Sequence, residues 1–385
     1  MSRKQSVVGV LGGGQLARML AVAGVPLGVN FHVVDGKADV CAAQAAPVTA
    51  CSWDDHDKLG AFADQVDVAT FDFENVPADT ARWLSARTRV APNPDALAVA
   101  QDRMAEKTTF NAIGLPTADF MQVDTREDLE RALAEIGAPA ILKTRRMGYD
   151  GKGQFRLKSE ADADAAWDAL GEPAAQYGLI LESFVPFERE VSVVAVRGRD
   201  GEFRAWPLTQ NWHVDGILSM SLAPAPGAQA LEGKAFEHAR HLAEKLDYVG
   251  VFALELFVVD GDLKGNEMAP RMHNSGHWTI DGAVTSQFEN HVRAVLGLPL
   301  GDTRARCPSV MFNWIGELPD VRAFLGVDDA HWHDYGKDPR AGRKVGHATV
   351  CGSDHAILRE RVAAVAAALG RDDQAAPVLE ALAKA

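Results

Sequence analysis

Val7 to Leu11 is a short apolar run that ends in Gly12-Gly13-Gly14, and from Gln15 onward apolar residues recur at Leu16, Met19, Leu20 and Ala23. The spacing predicts a strand, a glycine loop and a helix. Two further apolar runs, Phe31 to Val34 ending at Asp35 and Val66 to Phe73 ending at Glu74-Asn75-Val76-Pro77, place polar residues at their carboxyl ends. Such runs between helical segments predict an open parallel α/β sheet that takes ligands at that edge. From about Asp102 the texture changes. Met104 to Ile113 predicts a helix, Thr125-Arg126-Glu127-Asp128 resembles a capping box with Asp in place of Glu or Gln, and Gly137 with Pro139 closes the helix that follows. Ala140 to Thr144 and Leu179 to Phe184 predict strands, and between them lie a basic glycine-rich loop and a helix capped by Ser159. Glu190 to Arg197 alternates and leads through Asp200-Gly201 into a hairpin. Leu231 to Leu246 predicts a helix, and Val249 to Val259 with Leu263 to Met268 a second hairpin turning at Asp260-Gly261-Asp262. The remainder predicts short strands, a basic stretch from Lys337 to Lys344 and an alanine-rich terminal helix.

Composition narrows the function classes. A chain of 385 residues predicts two or three domains at roughly 150 residues each. Hydrophobic residues make up 47% and charged residues 24%, the balance of a soluble globular protein. The 39 basic against 53 acidic residues give a net charge of −14, which argues against broad binding to nucleic acid or anionic lipid and leaves room for a local site for a small anion. Cys41, Cys51, Cys307 and Cys351 form no CxxC pair and read as reduced cytoplasmic thiols. The chain start lacks the features of a signal peptide, and no apolar run reaches membrane-span length.

Four clusters carry candidate chemistry. Gly12 to Ala17 satisfies the G-x-G-x-x-A form, with Asp35 downstream, and reads as a dinucleotide loop, a phosphate loop for another ligand or a plain strand-to-helix turn. Lys143 to Gln154 packs basic residues and glycines between two strands, a composition suited to closing over a polyphosphate. If Gly261 is the apex of its hairpin, Glu255 and Glu267 lie equidistant from it and face each other, an arrangement that a hard cation resolves. The competing reading pairs such a glutamate with Arg271. Glu182 and Glu190 flank a linker whose backbone can read an adenine edge and whose carboxylate can hold a ribose, or they are simply solvated.

Together these features resemble the ATP-grasp ligases. Narrower strings resemble the 5-(carboxyamino)imidazole ribonucleotide synthase family: Gly12-Gly13-Gly14-Gln15-Leu16, Phe73-Glu74-Asn75-Val76-Pro77, Gly148-Tyr149-Asp150-Gly151-Lys152-Gly153-Gln154, and Asn266 to Arg271 followed by His273-Asn274-Ser275-Gly276-His277. Thr285 to Glu289 and Gly342 to His347 extend the match, which covers nearly the whole chain. The resemblance implies an ATP-grasp architecture: an N-terminal open parallel α/β domain over residues 1–102, a small lid subdomain over 103–185 and a C-terminal mixed-sheet domain over 186–385. It implies ATP- and bicarbonate-dependent carboxylation of the amine of 5-aminoimidazole ribonucleotide through carboxyphosphate, with magnesium, in a cytoplasmic homodimer. Bicarbonate is a poor electrophile, so phosphoryl transfer would activate it, and positioning and charge neutralisation would carry the catalysis.

By the same resemblance Arg103 and Lys143 bind ATP phosphates, and Gly148, Tyr149, Asp150, Gly151, Lys152, Gly153 and Gln154 form the lid. Glu182, Ser183, Phe184 and Val185 cradle adenine, Glu190 takes the ribose with His213 nearby, and Asn266 and Glu267 complete the nucleotide site. Glu255 and Glu267 hold magnesium. Gly14, Gln15, Leu16, Glu74, Asn75, Arg271, His273, Lys337 and Arg343 line the ribonucleotide pocket. The catalytic set is Tyr149, Asp150, Lys152, His273, Lys337 and Arg343, with His273 and Asp150 as alternative proton handlers. Met147, Asp72 and Met272 depart from the family pattern, where glycine, glutamate and proline are usual, and Val214 replaces a basic residue. Three rivals stand beside this reading: a formate-using glycinamide ribonucleotide transformylase of the same superfamily, an NAD-dependent oxidoreductase, and a nucleotide-binding regulator without activity.

Overall fold

The computed structural model describes residues 5–148 and 153–385. The N-terminal sheet consists of β1 (Val7–Leu11), β2 (Asn30–Asp35), β3 (Val48–Ala50) and β4 (Val68–Phe71), all parallel and ordered β3-β2-β1-β4. Its two faces feed different cores. Val8, Val10 and Val33 pack with Leu16 and Leu20 of the helix Gln15–Gly24, while Leu11, Val34 and Phe71 pack with Leu59, Phe62 and Leu84 on the other side. Burial on both faces is why these strands read as unbroken apolar runs. β3, short and only partly covered, left no such pattern.

A second sheet takes β5 (Phe120–Val123), β6 (Ala140–Thr144), β7 (Gln154–Leu157) and β8 (Leu179–Ser183) in the antiparallel order β5-β8-β6-β7. The helices Arg126–Ile136 and Ala163–Tyr177 share its apolar core. The capping box forms as read: the Thr125 hydroxyl accepts the Asp128 N–H at 3.1 Å, and the Asp128 carboxylate accepts the Thr125 N–H at 3.0 Å. Ser159 caps a single 3-10 turn, Glu160–Asp162, that runs into the second helix.

The third sheet has nine strands: β9 (Arg189–Arg197), β10 (Phe203–Ala205), β11 (Thr209–Val214), β12 (Ile217–Ala223), β13 (Gly250–Val259), β14 (Asp262–Ala269), β15 (Ser309–Ile315), β16 (Ala330–Asp334) and β17 (Lys344–Cys351). Their order is β14-β13-β9-β11-β12-β15-β17-β16, with β10 on β9. Every pairing among these strands is antiparallel, so parallel and antiparallel ladders are divided between sheets rather than mixed in this one. β9 is central and buried on both faces. Val191 and Val193 pack beneath the helix Gln229–Lys245, whereas Val194 and Val196 join the core that also holds Val8, Val10 and Leu16. That shared core docks the parallel sheet onto the large one. The alanine-rich terminus is two helices, His355–Leu369 and Asp372–Ala383, because Gly370 turns left-handed at φ 60° and ends the first. Among the described residues no helix is long and apolar enough to cross a membrane.

Candidate active site

A cleft of about 340 Å³ opens between the second and third sheets and the edge of the first. One wall is the β13–β14 hairpin. Val259 pairs with Asp262 across a two-residue turn, and both turn residues have positive φ, 51° at Asp260 and 74° at Gly261. The Asp-Gly pair suits this turn. The apex therefore lies between Asp260 and Gly261, not on Gly261, and a regular ladder would set Glu255 opposite Asn266. A bulge restores the expected partner: Leu256 faces Gly265, Asn266 is the extra residue, and Glu255 faces Glu267.

Each glutamate has a basic side chain as its nearest partner, and neither partner is Arg271. Glu255 Oε1 lies 3.1 Å from His273 Nε2, and Glu267 Oε2 lies 3.1 Å from Arg103 Nη1. Burial pushes the Glu255 carboxyl up, but the His273 hydrogen bond and charge outweigh it and hold the group at about 2. Arg271 pairs with Glu74 instead. Glu74 is likewise pulled down to about 2, burial being overcome by Arg271. The Gln101 amide donates to the Glu74 and Val76 carbonyls at 2.6 Å each and so holds the loop that carries Glu74 and Asn75.

The opposite wall carries Lys143, whose Nζ lies 2.9 Å from Glu182 Oε2. Glu182 also receives Lys107 at 3.3 Å, and both of those side chains are buried. Burial lowers the Lys143 ammonium, Glu182 opposing it, and the two lysines keep the Glu182 carboxyl at about 2. The basic loop is thus partly neutralised from within. Arg145 and Arg146 both reach Asp102, at 2.7 and 3.1 Å, and Asp102 caps the helix Arg103–Ala112 through the Met104 N–H. Met147 follows at φ 62°, a conformation that favours glycine. Tyr149, Asp150, Gly151 and Lys152 lie outside the described residues.

Arg103, Lys143, Gly148, Gln154, Glu190, His213, Glu255, Asn266, Glu267, Glu74, Asn75, Arg271 and His273 all line this cleft. Glu190 is paired with His213, which burial lowers but the Glu190 hydrogen bond raises further, for a net upward shift. Gly153 lies at the base of the loop, where its carbonyl accepts the Thr144 N–H at 2.8 Å. The linker Glu182 to Val185 is less open than its composition implied. The amides of Ser183 and Phe184 donate to Asp119 and Pro139, and Glu182 turns its carboxylate to the lysines, so the Val185 N–H is the linker donor left without a backbone partner among the described residues. Val214 is exposed at the end of β11, and the Met272 side chain is buried while its carbonyl accepts Arg271 at 3.0 Å.

The glycine loop, with Lys337 and Arg343, forms a separate group at the carboxyl edge of the parallel sheet. Its N–H groups are already engaged: Gly13 donates to Asp35 at 2.8 Å, Gly14 and Ala17 to Asp72 at 2.7 Å each. A Cβ at Gly14 would sit 2.3 Å from Asp72 Oδ2, so only glycine admits this carboxylate. Burial raises the Asp72 carboxyl against those two hydrogen bonds. The dinucleotide reading fails here because the acidic residue it assigns to a ribose occupies the loop itself. The Leu16 side chain lies in the core rather than at the pocket edge. Gln15 does fit: its Oε1 accepts Lys337 Nζ at 2.5 Å. Arg343 donates to the Asp338 carbonyl at 3.1 Å and lies near enough to Lys337 to lower that ammonium, after burial.

Some lining residues were not singled out by the sequence. Glu106 and the stacked rings of Phe187 and Phe257, 4.6 Å apart, enter the cleft only through the tertiary fold, and Lys344 brings the basic stretch to it as well. Asn274 also lines it, with both amide atoms buried and without a hydrogen-bond partner among the described residues.

This fold, with two facing carboxylates across a cleft from a lysine paired to a buried glutamate, defines an ATP-grasp enzyme. The ATP-grasp domain family matches residues 108–288, the ribonucleotide synthetase preATP-grasp domain residues 5–101, and the phosphoribosylaminoimidazole carboxylase C-terminal domain residues 309–361. The N5-carboxyaminoimidazole ribonucleotide synthase of Pseudomonas aeruginosa is 51% identical over 360 residues, 94% of this chain and 98% of that one. The crystal structure of the N5-carboxyaminoimidazole ribonucleotide synthetase of Thermus thermophilus superposes with a TM-score of 0.89 at 52% identity, covering 94% and 98% of the two chains. That of the Aspergillus clavatus synthase, in complex with ADP and 5-aminoimidazole ribonucleotide, gives 0.84 at 28% identity over 99% of each. The chain belongs to the N5-carboxyaminoimidazole ribonucleotide synthase family.

Proposed function

We infer that this protein is an ATP-dependent carbon-nitrogen ligase that carboxylates 5-aminoimidazole ribonucleotide to N5-carboxyaminoimidazole ribonucleotide in purine biosynthesis. Family membership favours this over formate-dependent transformylation. The observation that carries the residue assignment is the pair Glu255 and Glu267 facing one another in the cleft that Lys143 and Arg103 also line.

The ATP phosphates lie between Lys143 and Arg103, adenine against the Val185 end of the linker and the Phe187–Phe257 stack, and the ribose at Glu190 and His213. Gly148 to Gln154 are the lid segment that the family resemblance assigns to them. Glu255 and Glu267 offer hard oxygen donors now balanced by His273 and Arg103, a donor set that fits magnesium. Bound there, magnesium would neutralise phosphate charge during transfer. The γ-phosphoryl passes to bicarbonate, giving ADP and carboxyphosphate, and the ribonucleotide amine takes the carboxyl carbon as phosphate leaves. His273 or Asp150 removes the amine proton. The unpartnered Asn274 amide, which can donate and accept at once, suits bicarbonate. Gln15, Asn75, Glu74, Arg271, Lys337 and Arg343 hold the ribonucleotide, and the family resemblance adds Tyr149 and Lys152 to them.

We divide the chain at 1–102, 103–185 and 186–385, a division that follows the three sheets. The assembly is a homodimer in the cytoplasm, which accords with four free cysteines. The test is ADP release from ATP and magnesium, with and without bicarbonate and with and without the ribonucleotide. Release that depends on the ribonucleotide and consumes bicarbonate supports the reaction. Untouched ATP in all four mixtures refutes it. Sedimentation tests the dimer.

A further inference from the structure

The helix Arg103–Ala112 holds three consecutive residues of β14, one bond to each. Lys107 Nζ donates to the Asn266 carbonyl at 3.3 Å, Arg103 Nη1 reaches Glu267 Oε2 at 3.1 Å, and Glu106 Oε1 accepts the Met268 N–H at 2.7 Å. Residues three and four apart share one helical face, so these side chains form one row against the strand. The strand lies close enough that a Cβ at Gly265 would stand 2.8 Å from Leu115 Cδ2 and 2.9 Å from Phe110 Cδ2.

The position of this row matters because Asn266 is the bulged residue. Side chains alternate with period two along a strand, so without the bulge Glu267 would turn to the opposite face and leave Glu255 alone. We propose that Lys107 is a positioning residue that pins this bulge and thereby aims Glu267 into the cleft, and that through Glu182 it ties that aim to Lys143. This deepens the reading of Glu267 as a magnesium ligand and Lys143 as a phosphate contact, and rests on it. Lys107 is 1% exposed and is not among the residues lining the cleft, so it acts through its partners. Those partners come from two different sheets: the carbonyl of Asn266 on β14, and the carboxylate of Glu182 on β8, which it shares with Lys143. One buried ammonium therefore fixes the two walls of the nucleotide site relative to each other.

The experiment uses the full chain with Lys107→Met, which keeps the length of the side chain and removes the charge and donors. ADP release is titrated against magnesium and against the ribonucleotide. The expected result is a fall in kcat of at least tenfold, a rise in the half-saturating magnesium concentration of at least fivefold, and a ribonucleotide KM within twofold of wild type. Because Lys107 acts through Glu267, the double variant Lys107→Met with Glu267→Gln should be within twofold of Glu267→Gln alone. A merely structural lysine would lower the melting temperature and leave the magnesium titration in place. That outcome, or a double variant that loses the full product of the two single effects, overturns the clamp. If Lys107→Met does not fold, Lys107→Gln carries the same titration. ADP release by the wild type that needs no magnesium overturns the metal reading of the hairpin and the clamp with it, whereas a wild-type magnesium dependence retained in the Lys107 variant overturns the clamp alone.

Discussion

Glu255 stands opposite Glu267 because β14 carries one more residue than β13 at that point in their ladder. Like charges opposed in a sheet repel, and here each is offset separately, by His273 and by Arg103. Glu267→Gln should therefore keep the fold and lower turnover by roughly 10²-fold or more, the scale of losing a metal or oxyanion contact. ADP release, with circular dichroism as the control for folding, checks this. Near wild-type turnover in Glu267→Gln at limiting magnesium would count against the metal assignment.

Glu182 is the hub of a buried charge cluster, and its contribution to stability depends on pH. Burial would raise its carboxyl, but Lys143 and Lys107 hold it at about 2 instead of 4.5. A folded value below the unfolded one stabilises fully above about pH 4.5, and the gain is lost as pH falls through about 2. Glu182→Gln leaves two buried ammonium groups without their counter-charge, a change that costs about 3–5 kcal/mol near neutral pH. Denaturant midpoints measured from pH 7 downward should show this gap narrowing across the 4.5 to 2 window as the wild-type carboxyl itself protonates. A gap that stays constant over that range would mean that the charge of Glu182 is not what the cluster needs.

Much of this could be read from the chain because the informative signals were local. The glycine loop and its helix, the Thr125 capping box and the Asp260-Gly261 turn each depend on residues within a few positions of one another, and each forms. The Glu255–Glu267 pairing was also legible, although two errors cancelled: the apex lies half a residue earlier than assumed, and the bulge shifts the register back. What stayed hidden is tertiary. Lys107 and Glu106 read as ordinary charged positions on an amphipathic helix, and only the approach of β14 turns that face into a buried one. Likewise nothing near Gly14 foretold that Asp72, 58 residues away, would fill the loop that glycine spacing offers to a phosphate. The competing reading that paired a hairpin glutamate with Arg271 does not hold, and sequence could not exclude it because Glu74, the partner of Arg271, is 197 residues distant.

The Asn274 side chain predicts a trade between stability and function. Both of its amide atoms are buried without partners among the described residues, and such groups cost about 1–3 kcal/mol each. Asn274→Leu, similar in shape and apolar, should melt no lower than wild type, yet raise the bicarbonate concentration needed for half-maximal ADP release at least tenfold. A bicarbonate dependence equal to that of wild type would remove Asn274 from the carboxylation chemistry and leave its orphaned amide without a role.

Lys337 separates the two substrates. Its Nζ is held by Gln15 at the start of the helix that follows the glycine loop, beside Asp72 and away from the Lys143–Glu182 wall. Lys337→Ala should therefore raise the KM for 5-aminoimidazole ribonucleotide by about tenfold, equivalent to about 1.4 kcal/mol of lost binding, while the KM for ATP changes by less than twofold. Gln15→Leu removes only the partner that orients the ammonium, so it should shift the same constant in the same direction by a smaller factor. Steady-state titrations of each substrate at saturating levels of the other decide the matter. A raised ATP KM with an unchanged ribonucleotide KM would move Lys337 to the nucleotide, and with it the basic stretch from Lys337 to Lys344 that approaches the cleft through Lys344.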